Sequence, residues 1–173
     1  MTQALFRVEP LGDAHERASF DCGEEALDRY FRTQVTQDIR RHVANCFVAV
    51  EAASDQVAAW YTLSAASIPI TDLPPDESKR LPRYPAIPAL RIGRLAVGRR
   101  LQGRGLGSAM LADAIARTIQ FDIAAFMLVV DAQNAAAVAF YQRHEFRLIT
   151  GSPRTLFLPL ATARKVFLEK RRR

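Results

Sequence analysis

The chain has 173 residues, 49% of them apolar and 24% charged, the size and balance of one globular domain able to bury a real core. No run approaches the ~18 apolar residues that cross a bilayer, and the start, MTQALFRVEPLGDAHER, lacks the apolar core of a secretory signal, so a cytoplasmic protein is expected. The net charge of +6 is unevenly placed: the last ten residues carry six basic side chains against one Glu, and Lys79–Arg104 carries eight and no acid.

Residues 4–11 read as a first strand. A helix is predicted over 24–43, where Leu27, Phe31, Val35, Ile39 and Val43 recur at four-residue steps. Residues 46–52 and 57–68 read as strands joined by a short turn at Ser54–Asp55. Residues 69–88 hold six prolines and are predicted to form a long loop. Residues 89–97 return to strand, and a helix runs to about Gln120. The apolar run 126–132 suits a strand covered on both faces. A helix follows over 134–144, with Asn134 as its N-cap. Two closing strands, FRLIT and TLFLPL, precede a short basic helix. Strands interleaved with helices make an α/β domain, expected to span residues 1–173.

Cys22 and Cys46 lie among apolar residues and read as small buried hydrophobes. Neither they nor the scattered His15, His42 and His144 have metal-ligand spacing, and no metal is expected. The histidines read as surface or capping groups, Trp60 and Tyr61 as strand packing.

The segment LQGRGLGSAML (101–111) puts Gly103, Gly105 and Gly107 where a helix is about to start, although glycine costs a helix about 1 kcal/mol against alanine. Strand, glycine turn and helix in that order form a phosphate cradle: helix-start amides lack partners, the helix end is positive, and a backbone without Cβ atoms can approach an anion. Arg99, Arg100 and Arg104 add charge. The segment has no Gly-Lys-Ser/Thr, so it is not a P-loop. It also lacks the G-x-G-x-x-G spacing of a dinucleotide fold.

The pattern Gln102-x-x-Gly105-x-Gly107 resembles the acetyl-CoA signature of the GCN5-related N-acetyltransferases (GNATs). The strand ending RLAV and the segment AVAFYQRHEF (137–146), similar to the family's A-x-x-F-Y-x-x-x-G-F, extend the likeness over most of 89–146. Glu145 departs from it, standing where the family usually has Gly. The resemblance implies a GNAT fold: a central mixed twisted sheet of about seven strands flanked by helices, splayed between the strands at 89–97 and 126–132. It implies acetyl-CoA as co-substrate, held by Leu95, Ala96, Val97, Gln102, Gly103, Arg104, Gly105, Leu106, Gly107, Ser108, Asn134 and Phe140. Tyr141 is then the proton donor to the leaving thiolate. As a residue alone, Tyr141 also reads as a core aromatic.

FDCGEEALDRYF, CFVAV, WYTLSAASI, LPRYPAIPALRIGRLAV and SPRTLFLPL resemble the acetyltransferase toxins of bacterial toxin–antitoxin pairs over nearly the whole chain. That implies acetylation of the free amine of aminoacyl-tRNA, a ribbon-helix-helix antitoxin and a homodimer, with no membrane partner. Lys79, Arg80, Arg83, Arg91 and Arg94 are candidates to bind tRNA; Arg91 or Arg94 reads equally well as a half-buried strand ion pair. No general base stands out, which suits an α-amine titrating near 8 better than a lysine near 10.4. A small-molecule amine or protein N-terminus as acceptor, and a non-enzymatic acyl-CoA sensor or RNA-binding module, remain open alternatives.

Overall fold

A computed structural model describes residues 4–172. The elements in chain order are β1 (Phe6–Pro10), α1 (Glu25–Thr33), α2 (Val35–Arg40), β2 (Asn45–Glu51), β3 (Val57–Pro69), α3 (Pro75–Ser78) and β4 (Ala86–Val97). They continue with α4 (Leu106–Gln120), β5 (Met127–Asp131), α5 (Ala135–Arg143), β6 (Arg147–Leu148), β7 (Thr155–Pro159) and α6 (Leu160–Arg171). The strands form one mixed, open sheet in the order β1-β2-β3-β4-β5-β7-β6. This is the α/β architecture expected, with its seven strands.

The chain divides into two compact units, residues 1–64 with 93–114 and residues 65–92 with 115–173. In the first, β1, β2 and β3 form an antiparallel meander. Its core gathers Phe20, Leu27, Phe31, Val35, Val48, Val50, Trp60 and Ala96. Trp60 stacks on Phe31, with ring centroids 4.8 Å apart and planes 4° from parallel.

The helix predicted over 24–43 is broken at Gln34, and α2 ends at Arg40. The physical reason lies in the spacing. A strict four-residue step overshoots a 3.6-residue turn by about 40° each time, so Leu27 and Val43 cannot share a face of one straight helix. Leu27, Phe31 and Val35 are buried, while Val43 is 59% exposed. The Arg17 guanidinium donates to the Phe31 and Arg32 carbonyls at the end of α1, satisfying acceptors a helix end leaves unpaired.

In the second unit β5 is buried along Met127–Val130, as its apolar run predicts. It pairs in parallel with β4 over Ala89–Ile92 and antiparallel with β7. The β4–β5 ladder ends at Ile92↔Val130, whereas β4 runs on to Val97. Ile68, Leu73, Ala89, Met127, Val129, Ile149 and Phe157 form the core. The predicted loop 69–88 is shorter and more ordered than expected. β3 reaches Pro69, a 3-10 turn spans Ile70–Asp72, and α3 begins with Pro75 at its first position, where proline's fixed φ and missing N–H suit a helix start. The strand expected over FRLIT is only Arg147–Leu148.

Candidate active site

β4 leads into the glycine turn. The Gly98 amide donates to the Ala58 carbonyl at 2.8 Å, and a Cβ there would lie 3.1 Å from that oxygen. A 3-10 turn spans Arg99–Leu101. Arg99 pairs with Asp21 at 3.2 Å and Arg100 with Glu51 at 3.8 Å, so both of these turn cations face a protein carboxylate. The Gln102 side-chain amide donates to the Cys22 and Val97 carbonyls at 2.8 and 3.0 Å. Its side-chain NH2 group therefore braces the turn.

Gly103 and Gly105 adopt φ of 75° and 85°, the left-handed region that side chains disfavour. A Cβ on either would meet no protein atom within 4 Å, so the main chain is bare on that side. Arg104 between them is exposed. The Gly105 carbonyl accepts the first helical hydrogen bond from Ala109 at 3.1 Å, which makes Gly105 the N-cap of the 15-residue α4. The amides of Leu106 and Gly107 open that helix and have no carbonyl one turn back to bond. Ser108 completes the turn. Before it, Ala96 packs into the core, and Leu95 and Val97 point to the other face of β4. These residues fit a pyrophosphate: amides, a positive helix end and no side chain in the way.

Tyr141 belongs to the second unit. Asn134 caps α5, its side-chain oxygen accepting from the Ala137 amide at 2.9 Å, as predicted. At the other end, the Phe146 amide donates to the Tyr141 carbonyl and the Glu145 amide to the Gln142 carbonyl, both at 3.2 Å. This is a Schellman closure, which needs a left-handed residue after the cap. Glu145 supplies it at φ 71°, so the turn is built as a glycine would build it. The apolar contact that accompanies such closures is Tyr141 on Phe146, with rings 5.5 Å apart. Phe140 meets Tyr141 edge-on at 5.1 Å and is only partly buried.

Tyr141 is 5% exposed, and its hydroxyl makes no hydrogen bond among the described residues. Burial first, then the Asp131 carboxylate, raise its pKa above that of an ordinary phenol. Both causes favour the protonated phenol over the phenolate. Asp131 is itself held by Arg91 at 2.6 Å, with both side chains half-buried.

The sequence model of the acetyltransferase (GNAT) family matches residues 13–146, a span that includes both the glycine turn and Tyr141. The chain belongs to the GNAT family. This GNAT is 33% identical over 156 residues, 89% of its length and 92% of the relative's, to a tRNA-acetylating toxin of Mycobacterium tuberculosis. Among solved structures it is similar to AtaT complexed with acetyl-methionyl-tRNAfMet, at TM-score 0.85 and 29% identity, covering 94% of this chain and 99% of that one. It is also similar to a Tyr-to-Phe mutant of the AtaT toxin bound to the C-terminus of the antitoxin AtaR and acetyl-CoA. That likeness has TM-score 0.79 and 26% identity, covering 95% of this chain and 99% of the other.

The basic residues of this GNAT are not equivalent. Lys79, Arg80 and Arg83 are exposed, and Lys79 and Arg83 line an open cleft of about 510 Å³ with Tyr84, Thr71 and Ser78. Arg91 is the strand ion pair the sequence left open. Arg94 forms no ion pair among the described residues: its guanidinium lies 3.7 Å from the centroid of the Tyr30 ring, and its backbone amide donates to the Thr62 hydroxyl at 3.1 Å. Sequence reasoning missed Tyr30 and Asp131, since neither carries a local motif.

The histidines do not converge. The His15 ring bridges the Gly12 amide at 2.9 Å and Glu9 at 2.6 Å, a local capping role. His42 sits at φ 57°, and His144 stacks edge-on to Phe140 at 4.9 Å. Both cysteines are buried and free, and burial pushes each thiol up to about 12, which leaves them inert as nucleophiles. No cluster of metal-ligating side chains occurs among the described residues, and no helix there is long and apolar enough to cross a membrane.

Proposed function

We propose that this GNAT is the toxin of a toxin–antitoxin pair, acting in the cytoplasm as one acetyltransferase domain. It transfers acetyl from acetyl-CoA to the free α-amine of an aminoacyl-tRNA and so blocks translation, and a cognate ribbon-helix-helix antitoxin neutralises it. The observation that carries the reading is similarity over nine-tenths of the chain to a tRNA-acetylating toxin and to AtaT in complex with acetyl-methionyl-tRNAfMet. A homodimer is part of the same proposal.

The turn at Gly103–Gly107, with the amides of Leu106 and Gly107 and the charge of Arg104, would hold the coenzyme pyrophosphate. The backbone of Leu95–Val97 would hold the pantetheine arm and the acyl oxygen; preorganised amide donors of this kind are worth about 3 kcal/mol in acyl transfer. Bound acetyl-CoA supplies an acyl group activated as a thioester. The net reaction forms a C–N bond, breaks a C–S bond and moves one proton from nitrogen to sulfur. Tyr141, kept protonated by burial, would donate a hydrogen bond to the departing sulfur. The acceptor amine is the net source of the proton that sulfur finally carries, and Tyr141 ends the cycle protonated as it began. An α-amine near 8 is substantially neutral at physiological pH, so attack needs no strong base.

The test is incubation with labelled acetyl-CoA and total charged tRNA. Label is expected on the aminoacyl group, released from tRNA with the ester by mild alkali. Labelling of a small amine or a protein N-terminus, with none on tRNA, overturns the acceptor assignment.

A further inference from the structure

Several arginines of the first unit answer to a protein group. Arg7 meets Asp55, Arg32 meets Glu25, Arg99 meets Asp21, and Arg17 caps α1. Arg94 is held differently. Its guanidinium carbon sits over the Tyr30 ring, 3.7 Å from the centroid, and Tyr30 is fixed on two sides. Its hydroxyl donates to Asp38 at 2.8 Å, and Asp38 accepts again from the Gln34 amide at 3.2 Å. Its ring stacks on the fully buried Trp60 at 5.9 Å. The contact with Tyr30 places the guanidinium but uses none of its N–H donors, and among the described residues no carboxylate takes them. An arginine oriented by an aromatic face and left without a counter-charge is prepared for bidentate recognition of an external oxyanion. Lys79 and Arg83, exposed and unrestrained, lack that preparation.

We infer that the Arg94 guanidinium, seated on Tyr30, takes the phosphodiester that joins the acceptor's terminal adenosine to the preceding nucleotide. The inference rests on the aminoacyl-tRNA reading above and assigns one contact within it. Arg94 directly precedes Leu95–Val97 in β4, the backbone proposed to hold the acyl group. In an aminoacyl-tRNA the α-amine and that phosphodiester are separated only by the amino acid's Cα, the ester and one ribose. A guanidinium beside the acyl position can therefore hold the phosphate while the amine reaches the carbonyl carbon. Arg91, tied to Asp131, is not assigned this contact.

The test uses two minimal acceptors carrying the same amino acid: an aminoacyl ester of adenosine, which has no phosphate, and one of the cytidylyl-adenosine dinucleotide, which has the phosphodiester. Wild type is expected to favour the dinucleotide in kcat/KM by about tenfold to a hundredfold, the range of charged hydrogen bonds. Arg94→Gln should abolish that preference and leave the KM for acetyl-CoA in place. Arg94→Lys, which keeps the charge without the planar fork, should retain part of it. If Arg94→Gln does not fold, Arg94→Lys and Tyr30→Leu decide the matter, each expected to shrink the preference. A preference that survives these substitutions, or its absence in wild type, overturns the inference and leaves the aminoacyl-tRNA reading intact. An equal loss on both acceptors marks a structural role for Arg94 and overturns it too. If wild type acetylates neither acceptor nor charged tRNA, both proposals fall.

Discussion

Two of the regions where this GNAT bends the backbone into the left-handed conformation fill it with different residues. In the turn before α4 the positions are Gly103 and Gly105, at φ 75° and 85°, and a Cβ on either would point into open space. At the end of α5 the position is Glu145, at φ 71°, with its side chain exposed. Both are turns beside a helix terminus. Crowding by the protein does not explain the glycines, because nothing crowds them. The difference is one of access: at Gly103 and Gly105 the main chain is left open to an approaching group, whereas at Glu145 the chain reverses with a side chain in place. The tolerated residue carries a local cost of about 1–2 kcal/mol.

The contrast can be broken by experiment. The largest effect is expected from Gly105→Val, which puts a branched side chain at the proposed pyrophosphate cradle. Titration calorimetry with acetyl-CoA should show affinity reduced by about a hundredfold or more, the loss of one or two charged hydrogen bonds. Binding unchanged in a folded variant would end the cradle assignment. Tyr141→Phe comes next. Its kcat should fall by about 10²–10³-fold while the affinity for acetyl-CoA holds. Because the hydroxyl has no hydrogen-bond partner among the described residues, stability should move by less than about 0.5 kcal/mol. A fully active variant would return Tyr141 to the status of a core aromatic.

The pH dependence sharpens the second region. Rate with an aminoacyl acceptor should rise as the amine loses its proton and should not fall again up to about pH 10, the ordinary phenol value, because burial holds Tyr141 above it. The linked stability has a definite sign: a raised folded pKa means the contribution of Tyr141 is complete below the unfolded value and is lost as pH rises beyond it toward the folded one. An alkaline limb centred below pH 9 would contradict a buried, protonated phenol. The smallest effect is expected from Glu145→Gly. Relief of the left-handed strain, partly offset by the greater freedom of glycine in the unfolded chain, should stabilise by about 0.5–1 kcal/mol. In a chain of this size that raises the thermal midpoint by about 1–4 °C. A lower midpoint would show that the Glu145 side chain itself stabilises the turn.

The backbone geometry of the glycine turn and the cap of α5 were legible in the sequence. Glycine in a helix start has few uses, so Gly103-Arg-Gly105-Leu-Gly107 pointed to an anion, and the left-handed φ values accord with that reading. Asn134 announced its helix because a short side-chain oxygen before an alanine-rich run has one favourable place to bond. Other assignments depended on neighbours far along the chain. Arg91 and Arg94 are three residues apart in one strand and look interchangeable in sequence. One meets Asp131, forty residues on, and the other meets Tyr30, sixty-four residues back. The Gln102 side-chain amide also braces the turn, because Cys22 and Val97, eighty and five residues back, present carbonyls to it. The break at Gln34 was implicit in the four-residue step, but where the chain would yield depended on what Phe31 and Val35 packed against.

The sequence by itself determined the order of the main strands and helices, the place of the glycine turn and the burial of both cysteines. Each of these follows from local geometry: hydrophobic period, missing Cβ atoms, capping oxygens, the solubility of side chains. Tertiary structure alone decided which charges are neutralised and which aromatic is placed under a cation. It also decided which phenol is dry enough to keep its proton. Electrostatic character is set by what stands within a few ångströms, and only folding brings those groups together.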